Sequence, residues 1–246
     1  MNIKKIILPI ISKNYCPICG HYARGFITTG TSAEIWERLK GVGAGLRKTV
    51  CPYCRSNDRE RLVFLYLRDF YLPNKKNVKI KCLHVAPEHQ LSLYLQKTPI
   101  IDYIAADKRC EGYEYPNYVK DIDIMQMHDI QDKTFDLVIC NHVLEHVSND
   151  IIAMQELCRI LKDNGIAILQ VPIALKLDKT IDDPTITSPK DRFEKYGQED
   201  HVRIYGIDYP ERLKKAGFRV EVINIANRYP RKFGLNKNEM LYICHK

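Results

Sequence analysis

No stretch of this 246-residue chain approaches the roughly 18 consecutive apolar residues of a membrane span, so the sequence predicts no membrane partner. The apolar run at residues 6–11, behind Lys4 and Lys5, is short and broken by Pro9, which excludes it as the core of an export signal. The expected compartment is therefore the cytoplasm, where disulfides are rare, and the nine cysteines read as metal ligands or buried thiols. Acidic residues are scarce in the first third. Residues 1–78 hold 14 Lys and Arg against 5 Asp and Glu, whereas the rest holds 24 against 25. Such a basic region suits either phosphate contacts or a plain solvated surface. A zinc ion held by four thiolates, with a net charge of about −2, would offset part of it. At 45% hydrophobic residues, the chain can bury one full core and carry a small satellite module.

The cysteines of that first third are patterned. Cys16-Pro17-Ile18-Cys19 and Cys51-Pro52-Tyr53-Cys54 are two C-P-x-C knuckles, a spacing at which paired thiolates grip one tetrahedral ion. Redox motifs of this form normally occur singly at a helix start, so structural zinc is the expectation. The 31 residues between the knuckles exceed the usual ribbon spacing of about 15 to 20. Thr31-Ser32-Ala33-Glu34 before Ile35, Trp36 and Leu39 predicts a capping box and a short helix packed on the ribbon. Gly41-Val42-Gly43-Ala44-Gly45 superficially resembles a nucleotide loop, but a charged, helix-like segment precedes it rather than a buried strand. It reads as a flexible loop. Ser56 is a plausible N-cap for a helix over 57–71, on which Arg59 and Arg61 face either a ligand or solvent, and 73–77 has linker character.

From residue 78 onward, apolar runs alternate with helical patterns. Buried strands are expected at 78–85, 100–106, 135–140 and 166–171, and an amphipathic helix at 150–161, capped by Ser148 or Asn149 and stopped by Gly165. A helix at 209–216 then precedes antiparallel strands at 219–225 and 239–244. This alternation implies an α/β fold with a doubly wound parallel sheet.

The string Thr134-Phe135-Asp136-Leu137-Val138-Ile139-Cys140-Asn141-His142-Val143-Leu144-Glu145-His146-Val147, with Leu161-Lys162-Asp163-Asn164-Gly165-Ile166-Ala167-Ile168-Leu169 after its helix, resembles the fourth-to-fifth-strand region of type 11-like class I S-adenosylmethionine-dependent methyltransferases. Two knuckles, an S-x-x-R helix start and this domain together resemble a zinc-ribbon subgroup of that superfamily. The resemblance implies a zinc-ribbon module with a connecting helix at 1–77. It also implies a Rossmann-like seven-stranded methyltransferase domain with a reversed last strand at 78–246. The implied cofactors are S-adenosylmethionine and structural Zn²⁺.

In such a domain the cofactor lies at the carboxyl ends of the strands, at the topological switch point. By position, Asp107 with Lys108 beside it would serve the ribose, Asp121 and Ile122 the adenine, with Asp123 as a substitute acid, and Asn141 and His142 the methionine part. The family's first loop carries an acid followed by a glycine-rich turn. Here it reads Leu83-His84-Val85-Ala86-Pro87-Glu88, so His84, Ala86 and Glu88 must serve without glycines. Glu88 would pair with the cofactor's ammonium group and repel its carboxylate.

Methyl transfer is an in-line displacement that needs alignment and at most one base. His142, His146 and His201 qualify as imidazoles, and His201 and Arg203 lie in the segment where related enzymes build substrate lids; loop hydrogen bonding is the plain alternative. His142-Val143-Leu144-Glu145-His146 also fits the H-x-x-E-H pattern of zinc peptidases, although no third ligand is evident in the sequence. Cys82, Cys110, Cys140, Cys158 and Cys244 read as small buried hydrophobes, and Tyr113, Tyr115 and Tyr118 either stack on a ligand or pack. The expected activity is O-methylation of a small-molecule or glycan-like acceptor. An RNA methyltransferase and a noncatalytic scaffold are the alternatives. Acceptor identity and oligomeric state are not legible.

Overall fold

A computed structural model describes residues 13–75, 78–110 and 114–246. The 6–11 run, the end of the expected linker and Tyr113 lie outside the described residues. The first of the described elements form a two-stranded hairpin, β1 (Asn14–Tyr15) and β2 (Tyr22–Ala23), around the first knuckle. β3 (Ile27–Thr29) leads to helix α1 (Glu34–Arg38), β4 (Gly41–Val42) and β5 (Arg47–Val50), and β3 and β5 pair antiparallel before the second knuckle. Helix α2 (Asp58–Tyr66) runs on into a π-helical turn at Leu67–Tyr71. Its cap is Asn57 rather than Ser56. The Asn57 side chain accepts from the Glu60 N–H while Glu60 accepts from the Asn57 N–H, a reciprocal capping box.

Then follow β6 (Ile80–Val85), α3 (His89–Gln96), β7 (Ile101–Asp107), β8 (Val119–Asp121), β9 (Phe135–Asn141), α4 (Asp150–Ile160), β10 (Leu161–Gln170) and β11 (Ile173–Ala174). Helices α5 (Pro189–Tyr196) and α6 (Tyr209–Lys215) and strands β12 (Arg219–Ile223) and β13 (Leu241–His245) complete the order. Of the two caps expected for α4, Asn149 is used, accepting from the Ile152 N–H. Gly165 does not stop that helix. The chain enters β10 directly at Leu161, and Gly165 lies inside the strand, at the register irregularity between Leu161 and Ile166.

The main sheet has the order β12-β13-β10-β9-β6-β7-β8, parallel except for β13, which runs antiparallel to both neighbours. Strand β9 explains its central place, because Leu137, Val138, Ile139 and Cys140 are all fully buried, as a strand covered on both faces requires. Val138 and Cys140 join the core with α4 and α6, while Leu137 and Ile139 join the core with α2 and α3. This is the Rossmann-like doubly wound arrangement. After β6 the chain winds outward through β7 and β8, then returns to place β9 on the other side of β6, creating a switch point between the carboxyl ends of β6 and β9.

The N-terminal elements are tied to this sheet at three places. Arg61, fully buried, donates to the carbonyls of Thr49, Ser56, Phe233 and Gly234 and lies 4.2 Å over the Phe26 ring. It is neither solvated nor directed at a ligand. Strand β4 pairs with β11, so the expected glycine loop is in part a strand. Helix α1 lacks the expected capping box, its N-cap being Ala33 with no side-chain hydrogen bond. It packs Ile35 and Trp36 against Ala174, Tyr196 and Ile204 rather than on the ribbon, since those apolar side chains offer the larger surface to bury.

Candidate active site

At the switch point opens a cavity of about 700 Å³, within the size range of cofactor sites. The register Val85↔Ala106 and Asp107↔Asp121 sets Ala86, Asp107 and the residues after β8 along one rim, with β9 leading into the His142 side. Asp107 lines it half-buried, and among the described residues no side chain donates a hydrogen bond to its carboxylate. Burial raises its pKa. Ile122, Ile124, Met125 and Val143 supply apolar walls. Lys108 crosses the rim to Asp123 at 2.8 Å. Asp121 is turned away and accepts from the Arg109 N–H at 3.0 Å, so Asp123 is the acid at this rim. Tyr115 and Cys110 also line the cavity, and Cys110 is exposed, unlike the buried Cys82, Cys140, Cys158 and Cys244.

The glycine-poor first loop still adopts a glycine's backbone. Ala86 has φ 47°, in the left-handed region, with its N–H donating to the Ala106 carbonyl at 2.8 Å. Glu88 lies outside the cavity lining. Its carboxylate meets His84 Nε2 at 2.9 Å, Arg59 Nε at 3.2 Å and Asn141 Nδ2 at 3.3 Å. Burial opposes its ionisation, but the His84 hydrogen bond and charge, with Arg59 and Asn141, outweigh it and hold the carboxyl below its usual range. With its partners taken from this chain, Glu88 is not a free counter-ion for an ammonium group. His84 is likewise enclosed, its Nδ1 at 3.1 Å from the Tyr103 hydroxyl, and both residues brace the loop beneath the cavity.

A second chamber, about 340 Å³, adjoins the first. Its walls come from both parts of the chain, including Thr29, Gly43 and Arg59 on one side and Glu145, His146 and His201 on the other. His142 and His146 line both cavities and form the seam. Residues 143–147 make a tight turn, with the His146 N–H donating to the Val143 carbonyl, which brings both imidazoles to one place. His142 has φ 55° and abuts Gly43, where a Cβ would stand 3.2 Å from His142 Cε1.

Burial drives the His142 pKa well down, helped by Arg59 and Arg47. It lowers that of His201 to about 4, helped by His146, so both rings are neutral near pH 7. Burial raises the Glu145 pKa. Arg203 is displaced from the role expected of it. It is 1% exposed, donates to the carbonyls of Leu144, Val147 and Ser148, and pairs with Asp182 at 3.2 Å. It holds the turn that carries Glu145 and His146 from behind and itself lines neither chamber.

At the far end of the N-terminal part, Cys16, Cys19, Cys51 and Cys54 bring their Sγ atoms within 4.8 Å of one another. The Cys16–Cys54 and Cys19–Cys51 sulfur separations are 3.7 and 3.8 Å. A tetrahedron with zinc–sulfur bonds of about 2.3 Å has edges of about 3.8 Å, whereas a disulfide would need about 2.0 Å. The thiol set fits a zinc ion.

Residues 100–169 match the family described as methyltransferase domain, the segment that runs from β7 to the end of β10. No curated protein matches the chain. Among solved structures, the chain is similar to a SAM-dependent methyltransferase from Archaeoglobus fulgidus, at 19% identity and TM-score 0.47, covering 76% of this chain and 94% of that one. It is similar to the [4+2]-cyclase SpnF at 14% identity and TM-score 0.49, over 88% and 97% of the two chains. The YcgJ protein from Bacillus subtilis is similar at 17% identity and TM-score 0.42, over 62% and 68%. Residues 100–169 thus match a methyltransferase domain, and the strand order around them is the Rossmann-like doubly wound one.

Proposed function

We propose that the chain transfers the methyl group of S-adenosylmethionine, held in the 700 Å³ cavity, to an oxygen of a small-molecule or glycan-like acceptor in the adjoining chamber. The observation that carries this reading is Asp107, a carboxylate at the end of β7 that faces the cavity with no side-chain donor of its own. Such a group suits the two ribose hydroxyls, with Ile122 and Met125 flanking the adenine and Lys108 and Asp123 closing the rim. Ala86 lines the floor beneath the methionine part, while Asn141, expected there, is buried behind it on Glu88 and lines neither cavity. The cofactor, when bound, supplies an electrophilic methyl group. The chain's own residues exclude water and align the acceptor at the His142–His146 seam.

The chamber's size favours an acceptor group of a few carbons bearing hydroxyls over a folded polynucleotide. Two arginines of the basic N-terminal third are also held by carboxylates rather than presented to phosphates, Arg47 by Asp58 and Arg59 by Glu88. A structural Zn²⁺ on Cys16, Cys19, Cys51 and Cys54 would fix residues 1–77 as a module whose loops wall the acceptor chamber of the 78–246 domain. Nine free thiols suit the cytoplasm. The test is methyl transfer from radiolabelled S-adenosylmethionine to panels of polyhydroxyl compounds and of RNA. Label in the former, lost in Asp107→Ala, supports the reading. Label only in RNA overturns the acceptor class, and no label in either, from protein that binds the cofactor, favours a noncatalytic scaffold.

A further inference from the structure

The turn at 143–147 and the segment at 200–203 bring three donors together. The Glu145 carboxylate and the His146 and His201 imidazoles offer ligand atoms within 4.8 Å of one another. Glu145 is 1% exposed and lines the acceptor chamber, yet neither of its oxygens has a hydrogen-bond partner among the described residues. Folded chains rarely leave a buried carboxylate's two oxygens unclaimed, which points to a group that claims them.

The two imidazoles are oriented as ligands. His146 Nδ1 lies 3.1 Å from Asp200 Oδ2, so that nitrogen carries the proton and Nε2 turns its lone pair toward Glu145, 4.0 Å from Oε1. His201 Nδ1 lies 3.3 Å from the Tyr196 carbonyl, which fixes its proton there and frees Nε2 in the same way. A carboxylate or carbonyl holding the far nitrogen is the arrangement that metal-binding histidines show. His142 stands beside the set without belonging to it, its Nδ1 3.5 Å from Glu145 Oε1 and its buried Nε2 without a partner among the described residues. Of the H-x-x-E-H string, the set uses Glu145 and His146 and not His142, and the fold brings His201 to them from 55 residues downstream.

We propose that Glu145, His146 and His201 bind a divalent first-row transition ion at the seam of the two cavities, and that this ion receives the acceptor's hydroxyl. Imidazoles with one carboxylate and no thiolate favour Mn²⁺, Fe²⁺, Co²⁺ or Zn²⁺ over Ca²⁺. Three donors about 2.0 to 2.2 Å from one ion stand roughly 3.0 to 3.6 Å apart, so the side chains must close by about an ångström when the ion binds. A cation lowers the pKa of a bound hydroxyl. The hydroxyl proton leaves to water, the new O–CH₃ bond forms as the S–CH₃ bond breaks, and that bonding pair stays on sulfur as a neutral thioether. His146 and His201 thus serve as ligands rather than as proton acceptors. The acceptor half of this proposal rests on the methyltransferase reading; the ion site does not.

Zinc-loaded protein is titrated with Mn²⁺ and the free-ion electron paramagnetic resonance signal is followed. One Mn²⁺ should bind per chain, and Glu145→Gln and His201→Ala should each weaken it at least tenfold while keeping the four-cysteine zinc and a cooperative thermal transition, which report folding. A chelator that strips only this ion should abolish methyl transfer, leave S-adenosylhomocysteine binding in place, and be reversed by added Mn²⁺. Failure of Mn²⁺, Co²⁺ and a second Zn²⁺ to bind the wild type would overturn the ion site. An ion that binds while S-adenosylhomocysteine does not would leave the site standing and sink the methyltransferase reading instead.

Discussion

Ala86 holds a left-handed backbone that a side chain tolerates poorly, at a cost of about 1–2 kcal/mol. Ala86→Gly should therefore raise stability by roughly 0.5–1 kcal/mol, read in urea unfolding, because the strain exceeds the entropy that glycine adds. A loss of stability would mean that the loop's conformation is set elsewhere. Glu239 offers a pH test. Burial, with Asp58 nearby, pushes its pKa up to about 8. An unfolded glutamate titrates near 4.3, so between about pH 4.5 and 8 the unfolded chain releases a proton that the folded chain keeps, and stability from this group falls as pH rises. Glu239→Gln should match the wild type near pH 4.5 and exceed it at pH 8 by more than about 1 kcal/mol. A pH-independent difference would contradict that assignment.

At the scale of elements, the N-terminal part walls the second chamber and is fastened to the rest of the chain at three places, Arg61, the β4–β11 pair and α1. Arg61 gathers four carbonyls from both parts of the chain. Arg61→Ala, which strands those acceptors, should cost about 3 kcal/mol or more. A cost under about 1 kcal/mol would show that water replaces the guanidinium. Removing the zinc, or making Cys51→Ser, should loosen residues 13–55 while amides of β6, β9 and β10 keep their exchange protection, because the sheet's core contains none of the four cysteines. Methyl transfer should fall with the loss of the chamber wall. The strands and the α4 helix were legible because periodicity reports burial on two faces. The docking of α1 was not, since Ile35 and Trp36 read equally well against any apolar partner, and the partner's residues lie more than 130 positions away.

For the whole molecule, the formal charge of +8 already counts the carboxylates of the internal pairs, so what bears on a polyanion partner is where the cations sit. Arg47, Arg59 and Arg61 spend their charge internally. Binding to generic RNA should accordingly be weak and vanish by physiological salt. The positions of Asp107 and His142 followed from the order of strands, because the ends of parallel strands converge at a switch point. The surroundings of Glu88 and Arg203 were not legible, because a charged residue's partner is a property of the fold and leaves no local pattern.

The central claim is the cofactor site, and calorimetric titration of folded, zinc-loaded protein with S-adenosylhomocysteine tests it most directly. The account predicts one site per chain, weakened by about 1 to 3 kcal/mol in Asp107→Ala, the scale of losing a buried polar contact. No binding by the wild type, or equal binding by the variant, would contradict it.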